Sequence, residues 1–277
     1  MPENRVSVEE GLKAQHPALQ AQDLKLFSYF SKSLDRERNY RALVPGDIQD
    51  GEKLPVIFML HGYDADSAAW ITQTRACDQL RKYRVIAVFP EGDKGWYTNA
   101  FDGLARYEDD IVEDLVPDVI RRLPVVKPGP GWAIGGFSMG GYGAVKLGLK
   151  HTLLFGTAFS HSGAVERMLK TDVHPIFGDP EVDASFRKQE TPLWIIEQVL
   201  CRFPFSRPNL ILDCGLSDPL LEENRRLSQH LDFLGYHHIY RELPGMHTWP
   251  YWNRAFRTAL PDIAAAIGCV GARGNRE

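Results

Sequence analysis

Short apolar runs alternate along this chain with longer stretches whose apolar positions recur every three or four residues. "QDLKLFSYFSKSLDRERNYRALVP" alternates at period two and predicts a strand pair turning at Lys32–Asp35. "LPVIFMLHG" and "RVIAVFPEG" are continuous apolar runs closed by glycine, the pattern of strands buried on both faces. Between them, "SAAWITQTRACDQLRKY" has helical spacing, with Trp70, Cys77 and Leu80 on or near one face. "RYEDDIVEDLVPDVIRRL" starts acidic and ends basic, as the helix dipole favours, and Pro117 predicts a kink in it. "GWAIGGFS" then reads as a strand and "MGGYGAVKLGLKH" as a helix. "FGTAFSHSG" and "PNLILDCG" read as strands, "DPLLEENRRLSQHLDFLG" as a helix, "HHIYRELPG" as a strand and "TWPYWNRAFRTALPDIAAAIG" as the last helix. Strands alternating with helices predict an α/β fold, a mostly parallel central sheet with helices on both faces.

The chain has 277 residues, enough for a large core without disulfide staples, and no linker divides it. One domain is expected, with residues 1–22 as an N-terminal extension and residues 270–277 as a tail. A net charge of −4 without a basic stripe excludes nucleic acid and anionic membranes as expected partners. No apolar run reaches the length of a membrane span. The four cysteines form no C-x-x-C pair, so no structural zinc site is expected; no other metal and no cofactor is expected either. The N-terminus has no apolar signal segment, and reduced thiols fit a cytoplasmic location. The composition leaves room for a homo-oligomer.

In sheets of this kind, function gathers at the carboxyl ends of strands. There the chain carries "GGFSMGGYG", in which Ser138 stands between Gly136 and Gly140 where a strand must turn directly into a helix. A serine on such a turn is lifted clear of the sheet, and the first amides of the helix point at the substrate. Met139 N–H is therefore the first oxyanion donor expected. The Tyr63 amide, in the loop after "MLHG", is the second; His61 reads as a structural hydrogen-bonding residue. A serine needs a base. His247 directly follows the last strand and precedes the last helix; His161, at another strand end, is a rival. His237 and His238 precede the strand and read as surface residues. The orienting acid should lie between serine and histidine in the chain. Asp218, in a loop, can reach an imidazole; Asp213 is inside a strand and should face helix or core.

With these residues in this order, the chain resembles the esterase D family of the α/β-hydrolases. That family includes S-formylglutathione hydrolases, acetylesterases, feruloyl esterases and mycolyltransferases. The resemblance rests on "LPVIFMLHG", "WYTNAFDGLARYEDDIVEDLVP", "GGFSMGGYGAVKLGL", "CGLSDPLLEEN" and "PGMHTWPYW". It implies that Ser138, Asp218 and His247 are nucleophile, acid and base, that Tyr63 and Met139 hold the oxyanion, and that Trp96 and Tyr97 line the approach. A serine carboxylesterase for short acyl chains is the expected function. A thioesterase acting on S-formylglutathione, an acyltransferase and a non-catalytic binding module are the alternatives. Residues 164–208 are irregular and proline-rich, with one apolar helical piece, "PLWIIEQVLCRF". They predict a small cap in which Trp194, with Trp96, Tyr97 and Trp249, walls a short pocket over the serine.

Overall fold

The computed structural model describes residues 23–202, 207–269 and 271. The predicted extension (1–22), residues 203–206 of the predicted cap and all of the predicted tail except Gly271 lie outside the described residues. Eight strands form one sheet in the order β1-β2-β4-β3-β5-β6-β7-β8. They are β1 (Leu24–Ser31), β2 (Arg36–Leu43), β3 (Val56–Leu60), β4 (Ile86–Pro90), β5 (Gly129–Phe137), β6 (Phe155–His161), β7 (Asn209–Gly215) and β8 (Ile239–Leu243). The β1–β2 and β2–β4 pairs are antiparallel, and every other pair is parallel. Strands β3 and β4, which the two continuous apolar runs form, are buried along their whole length, because helices cover both faces of the sheet.

One face carries α1 (Ala69–Gln73), α2 (Ala76–Leu80) and α9 (Trp249–Ala266), around a core containing Trp70, Phe137 and Phe256. The other carries α3 (Tyr107–Asp109), α4 (Val116–Arg122), α5 (Met139–Lys150), α7 (Pro192–Arg202) and α8 (Leu221–Phe233), around Phe58, Trp132 and Tyr142. A shorter helix, α6 (Ala184–Gln189), precedes α7. Among the described residues, no helix is long and apolar enough to cross a membrane.

Two predicted helices take a different form. The expected helix over 67–83 divides at Thr74, whose backbone is extended. Its hydroxyl donates to the Trp70 carbonyl and accepts from the Ala76 amide, a local alternative to the helical ladder. In the acidic helix, a π-helical stretch, Asp110–Leu115, joins α3 to α4. Pro117 sits in the first turn of α4, where the wider turn before it makes room for its ring.

Candidate active site

The turn at Ser138 follows from its neighbours. A Cβ on Gly136 would lie 2.6 Å from the Leu60 carbonyl oxygen, and one on Gly140 would lie 2.5 Å from it. With only hydrogens there, the end of β3, the end of β5 and the start of α5 pack against one another. Ser138 itself has φ 54° and ψ −119°, a conformation an L-residue rarely adopts. The strain is held by hydrogen bonds on both sides. Its amide donates to the His161 carbonyl (3.0 Å), and its own carbonyl accepts from the Tyr142 and Ala164 amides (3.0 and 3.1 Å). Trp96, Tyr97 and Ser162, in loops after β4 and β6, also have positive φ. Strained backbone is thus concentrated where strand ends converge.

The hydroxyl of Ser138 lies 2.9 Å from His247 Nε2. His247 Nδ1 lies 3.1 and 3.0 Å from Asp218 Oδ1 and Oδ2. Asp218 also accepts the Leu220 amide (2.9 Å). Its carboxylate is fully buried, while the imidazole is 27% exposed. Burial pushes the Asp218 carboxyl upward, but the hydrogen bonds from His247 and Leu220 outweigh it and hold it below its ordinary value. The edge of Trp252 meets the His247 ring at 4.9 Å between centroids. Ser138, His247 and Asp218, singled out from three separate loops, are therefore one hydrogen-bonded chain. Met139 opens α5, so its amide has no acceptor within the helix. Tyr63 follows the end of β3, whose carbonyl the glycines of the elbow abut.

His61 is buried, with its ring between the Gly62 carbonyl (2.7 Å), Glu91 (3.0 Å) and the Gly92 amide (2.8 Å). His161 is buried too. Its Nδ1 lies 2.6 Å from Asp213 Oδ2, and Tyr251 donates its hydroxyl to Asp213 Oδ1 (2.8 Å). Neither His161 nor Asp213 meets Ser138 with its side chain.

The predicted pocket wall needs correction. Tyr97 is fully buried and lines no open surface. Its ring fills the space left by Gly92 and Gly143, and its hydroxyl bonds the backbone of His61. Trp194, also expected in the wall, packs against the core. It is half-buried on α7, which packs on α5 and α8, because the apolar face of that helix completes the core rather than a roof. Trp249 lies on the other side of the elbow, against Phe137 (4.7 Å) and Trp252 (5.0 Å). Trp96 sits in an aromatic cluster beside the loop that carries Tyr63, with ring centroids of Tyr63 and Phe177 at 5.8 Å and of His174 at 6.1 Å. His174 and Phe177 come from the early half of the insertion, and no periodicity marks them in the sequence. Arg187 holds that loop. Its guanidinium, 3% exposed with its side chain, donates to the carbonyls of Met168, Lys170, Asp172 and Gly178. Burial, then the charge of Arg167, lowers His174 to about 4, so it is neutral near pH 7. Beneath the wall, Lys146 is wholly buried between Glu108 and Glu190 (2.8 Å each), tying α5 to the insertion. Among the described residues, no cluster suited to a metal ion occurs.

A family model for putative esterases matches residues 31–263. The chain is 25% identical over 258 residues to an acetyl esterase of Caldicellulosiruptor saccharolyticus, covering 84% of this chain and 95% of that protein. It is 26% identical over 270 residues to an esterase of Mycobacterium tuberculosis, covering 84% of this chain but only 58% of that longer protein. Two solved Staphylococcus aureus structures share the fold at 22% identity. One is a fluorophosphonate-binding serine hydrolase, with a TM-score of 0.77 over 87% of this chain and 97% of that one. The other is an S-formylglutathione hydrolase, with a TM-score of 0.78 over 87% and 98%. The family match takes in the whole sheet except β1, of which it includes only Ser31, and the chain belongs to the putative esterase family, with the fold of the α/β-hydrolases.

Proposed function

We propose that this protein is a serine carboxylesterase for short acyl chains, working through an acyl-enzyme on Ser138. The observation that carries the reading is the 2.9 Å contact of His247 Nε2 with the hydroxyl of Ser138, a half-buried residue on strained backbone. His247 takes the hydroxyl proton as Ser138 attacks the ester carbonyl. Asp218 holds Nδ1 protonated and stabilises the imidazolium that forms. The Met139 and Tyr63 amides receive the oxyanion, each donor contributing about 3–4 kcal/mol in comparable sites. His247 then protonates the leaving alcohol, and water releases the acid by the same steps in reverse order. The substrate is a small-molecule ester. The setting we infer is cytoplasmic, in keeping with the buried thiols of Cys77 and Cys214.

The short-chain preference rests on the aromatic cluster of Trp96, Tyr63 and His174, backed by the fully buried Phe177 and with Arg167 stacked over the Trp96 ring. A buried CH₂ contributes about 0.8 kcal/mol only while there is room for it. On p-nitrophenyl esters, kcat/KM should peak between acetate and butyrate and fall by octanoate. Trp96→Ala should move the optimum toward longer chains, and Trp194→Ala should leave it in place. A flat profile out to palmitate overturns the wall while leaving the nucleophile standing. S-formylglutathione and acceptor alcohols in the same panel separate thioesterase and acyl-transfer activity from ester hydrolysis.

A further inference from the structure

Asp213 is unused by the chemistry above, yet its partners all lead into the site. It sits inside β7 and is 2% exposed. One carboxylate oxygen accepts from His161 Nδ1–H and the other from the Tyr251 hydroxyl. His161 ends β6, and its carbonyl is the acceptor for the Ser138 amide. Tyr251 stands in the first turn of α9, four residues after His247. Its ring rests on Gly245, where a Cβ would lie 2.7 Å from Tyr251 Cδ2. The Gly245 carbonyl in turn accepts the amide of Ser217, the residue before Asp218 (2.9 Å).

We propose that Asp213 is a positioning residue for the reaction: one buried carboxylate that sets the Ser138 elbow, through His161, against the His247 turn, through Tyr251. This rests on the reading of Ser138 and His247 as nucleophile and base. A hydrogen-bonded carboxylate is suited to the task because it fixes direction as well as distance, which apolar contacts do not. The rest of the His161 ring supports this. Trp70, Phe159 and Phe256 surround it, and Nε2 has no hydrogen-bond partner among the described residues. The bond to Asp213 is thus the one directional restraint on that ring. A misplacement of about 1 Å between reacting groups costs about 10²-fold in rate, so a linkage between their supports acts on turnover and leaves substrate affinity alone.

The test uses two variants of the full chain. Tyr251→Phe keeps the ring on Gly245 and removes one arm of the linkage. Asp213→Asn keeps both arms, because its amide oxygen accepts from Tyr251 and its amide NH₂ donates to His161 Nδ1 in the other tautomer. Active sites are counted by burst titration, and turnover is expressed per titrated site. Tyr251→Phe should lower kcat about tenfold with KM within twofold, and should slow fluorophosphonate labelling of Ser138 by the same factor. Asp213→Asn should stay within about threefold of the parent on both measures. Unchanged turnover in Tyr251→Phe overturns the proposal. So does a loss of titratable sites while the remaining sites turn over at the parental rate, which marks a purely structural role. If the parent protein is not labelled at Ser138, the reading of the nucleophile has failed, whatever Tyr251→Phe does.

Discussion

Two histidine–aspartate pairs lie at this end of the sheet, and their surroundings differ. His161 and Asp213 are strand residues on β6 and β7, 2.6 Å apart, with side chains 1% and 3% exposed. His247 and Asp218 are loop residues beyond β8 and β7, 3.0 Å apart, and the imidazole is 27% exposed. The chemistry of the two pairs is the same; the difference lies in what the second ring nitrogen meets. For His161 it is an apolar cage of Trp70, Phe159 and Phe256. For His247 it is a serine hydroxyl at the edge of solvent. A strand position is filled by its neighbours above and below the sheet, whereas a loop past the strand end can reach across to another loop. The buried pair is suited to holding backbone in place, and the loop pair to passing protons.

The contrast is broken most directly at the nucleophile and base. Ser138→Ala and His247→Ala should each lower kcat about 10⁴- to 10⁶-fold, and the double variant should be little worse than either, because the two residues act as one unit. Steady-state turnover with a p-nitrophenyl acetate substrate reads this out. A Ser138→Ala protein that keeps more than a few per cent of parental activity would remove the loop pair from the chemistry.

The two aspartates give the next largest difference. Asp218→Asn presents an amide where His247 needs an acceptor, so the imidazole takes the wrong tautomer; the equivalent loss in a serine protease is about 10⁴-fold in kcat. Asp213→Asn loses no necessary contact and should stay within about threefold. Parallel kinetics on the two folded variants decide the matter. Equal losses would mean that both pairs feed the same proton transfer.

Stability should rank the pairs the other way. His161→Leu leaves a buried Asp213 with one donor fewer, which costs about 2–4 kcal/mol. His247→Leu admits water to Asp218, which keeps its bond from Leu220, and should cost less than about 1 kcal/mol. Urea unfolding of both variants checks the ordering, and a His247→Leu loss as large as that of His161→Leu would contradict it.

Much of the loop pair is legible in the amino-acid sequence, and little of the buried pair is. Ser138 announces itself because its constraint is local: a strand pattern, two flanking glycines and a helix pattern within a dozen residues. His247 and Asp218 are readable because each directly follows a strand. The strand setting of Asp213 is equally plain, but its partners are 52 and 38 residues away and arrive from opposite directions. The same limit applies to the wall. Trp96 could be picked out as a large aromatic after a strand, but Phe177 and His174 meet it only through a loop gathered by Arg187. Tyr97 and Trp194 share the aromatic character of Trp96. Composition alone does not distinguish a ring that plugs the gap left by two glycines, or one that packs a helix on its neighbours, from one beside the site.

The smallest expected effect is the dependence of stability on pH, which separates the loop pair from its surroundings. Asp218 has a carboxyl below its ordinary value in the folded protein. It therefore contributes stability that is fully present above the unfolded aspartate value of about 4 and is lost as pH falls through the lower folded value. Asp218→Asn should flatten this acid limb. Five residues further on, Glu223 behaves in the opposite sense. Burial raises it to about 7, and the nearby Glu166 charge adds to the shift, while the hydrogen bond from the Glu166 amide (2.9 Å) opposes it. A carboxyl that binds its proton more tightly when folded loses stability as pH rises from about 4.5 to about 7, and no further above that. The penalty should be about 2 kcal/mol once residual solvent at the carboxylate is allowed for. Since Glu223 and Asn224 grip the stem of the insertion at Glu166 and Gly163, that strain falls on the stem rather than on His247. Urea midpoints measured from pH 3 to 8 should show both limbs in the parent. Glu223→Gln should remove the fall between pH 4.5 and 7 and leave kcat for acetate esters unchanged. A midpoint that still falls over that interval in Glu223→Gln would place the titrating group elsewhere, and an altered kcat would tie the insertion stem to the loop pair after all.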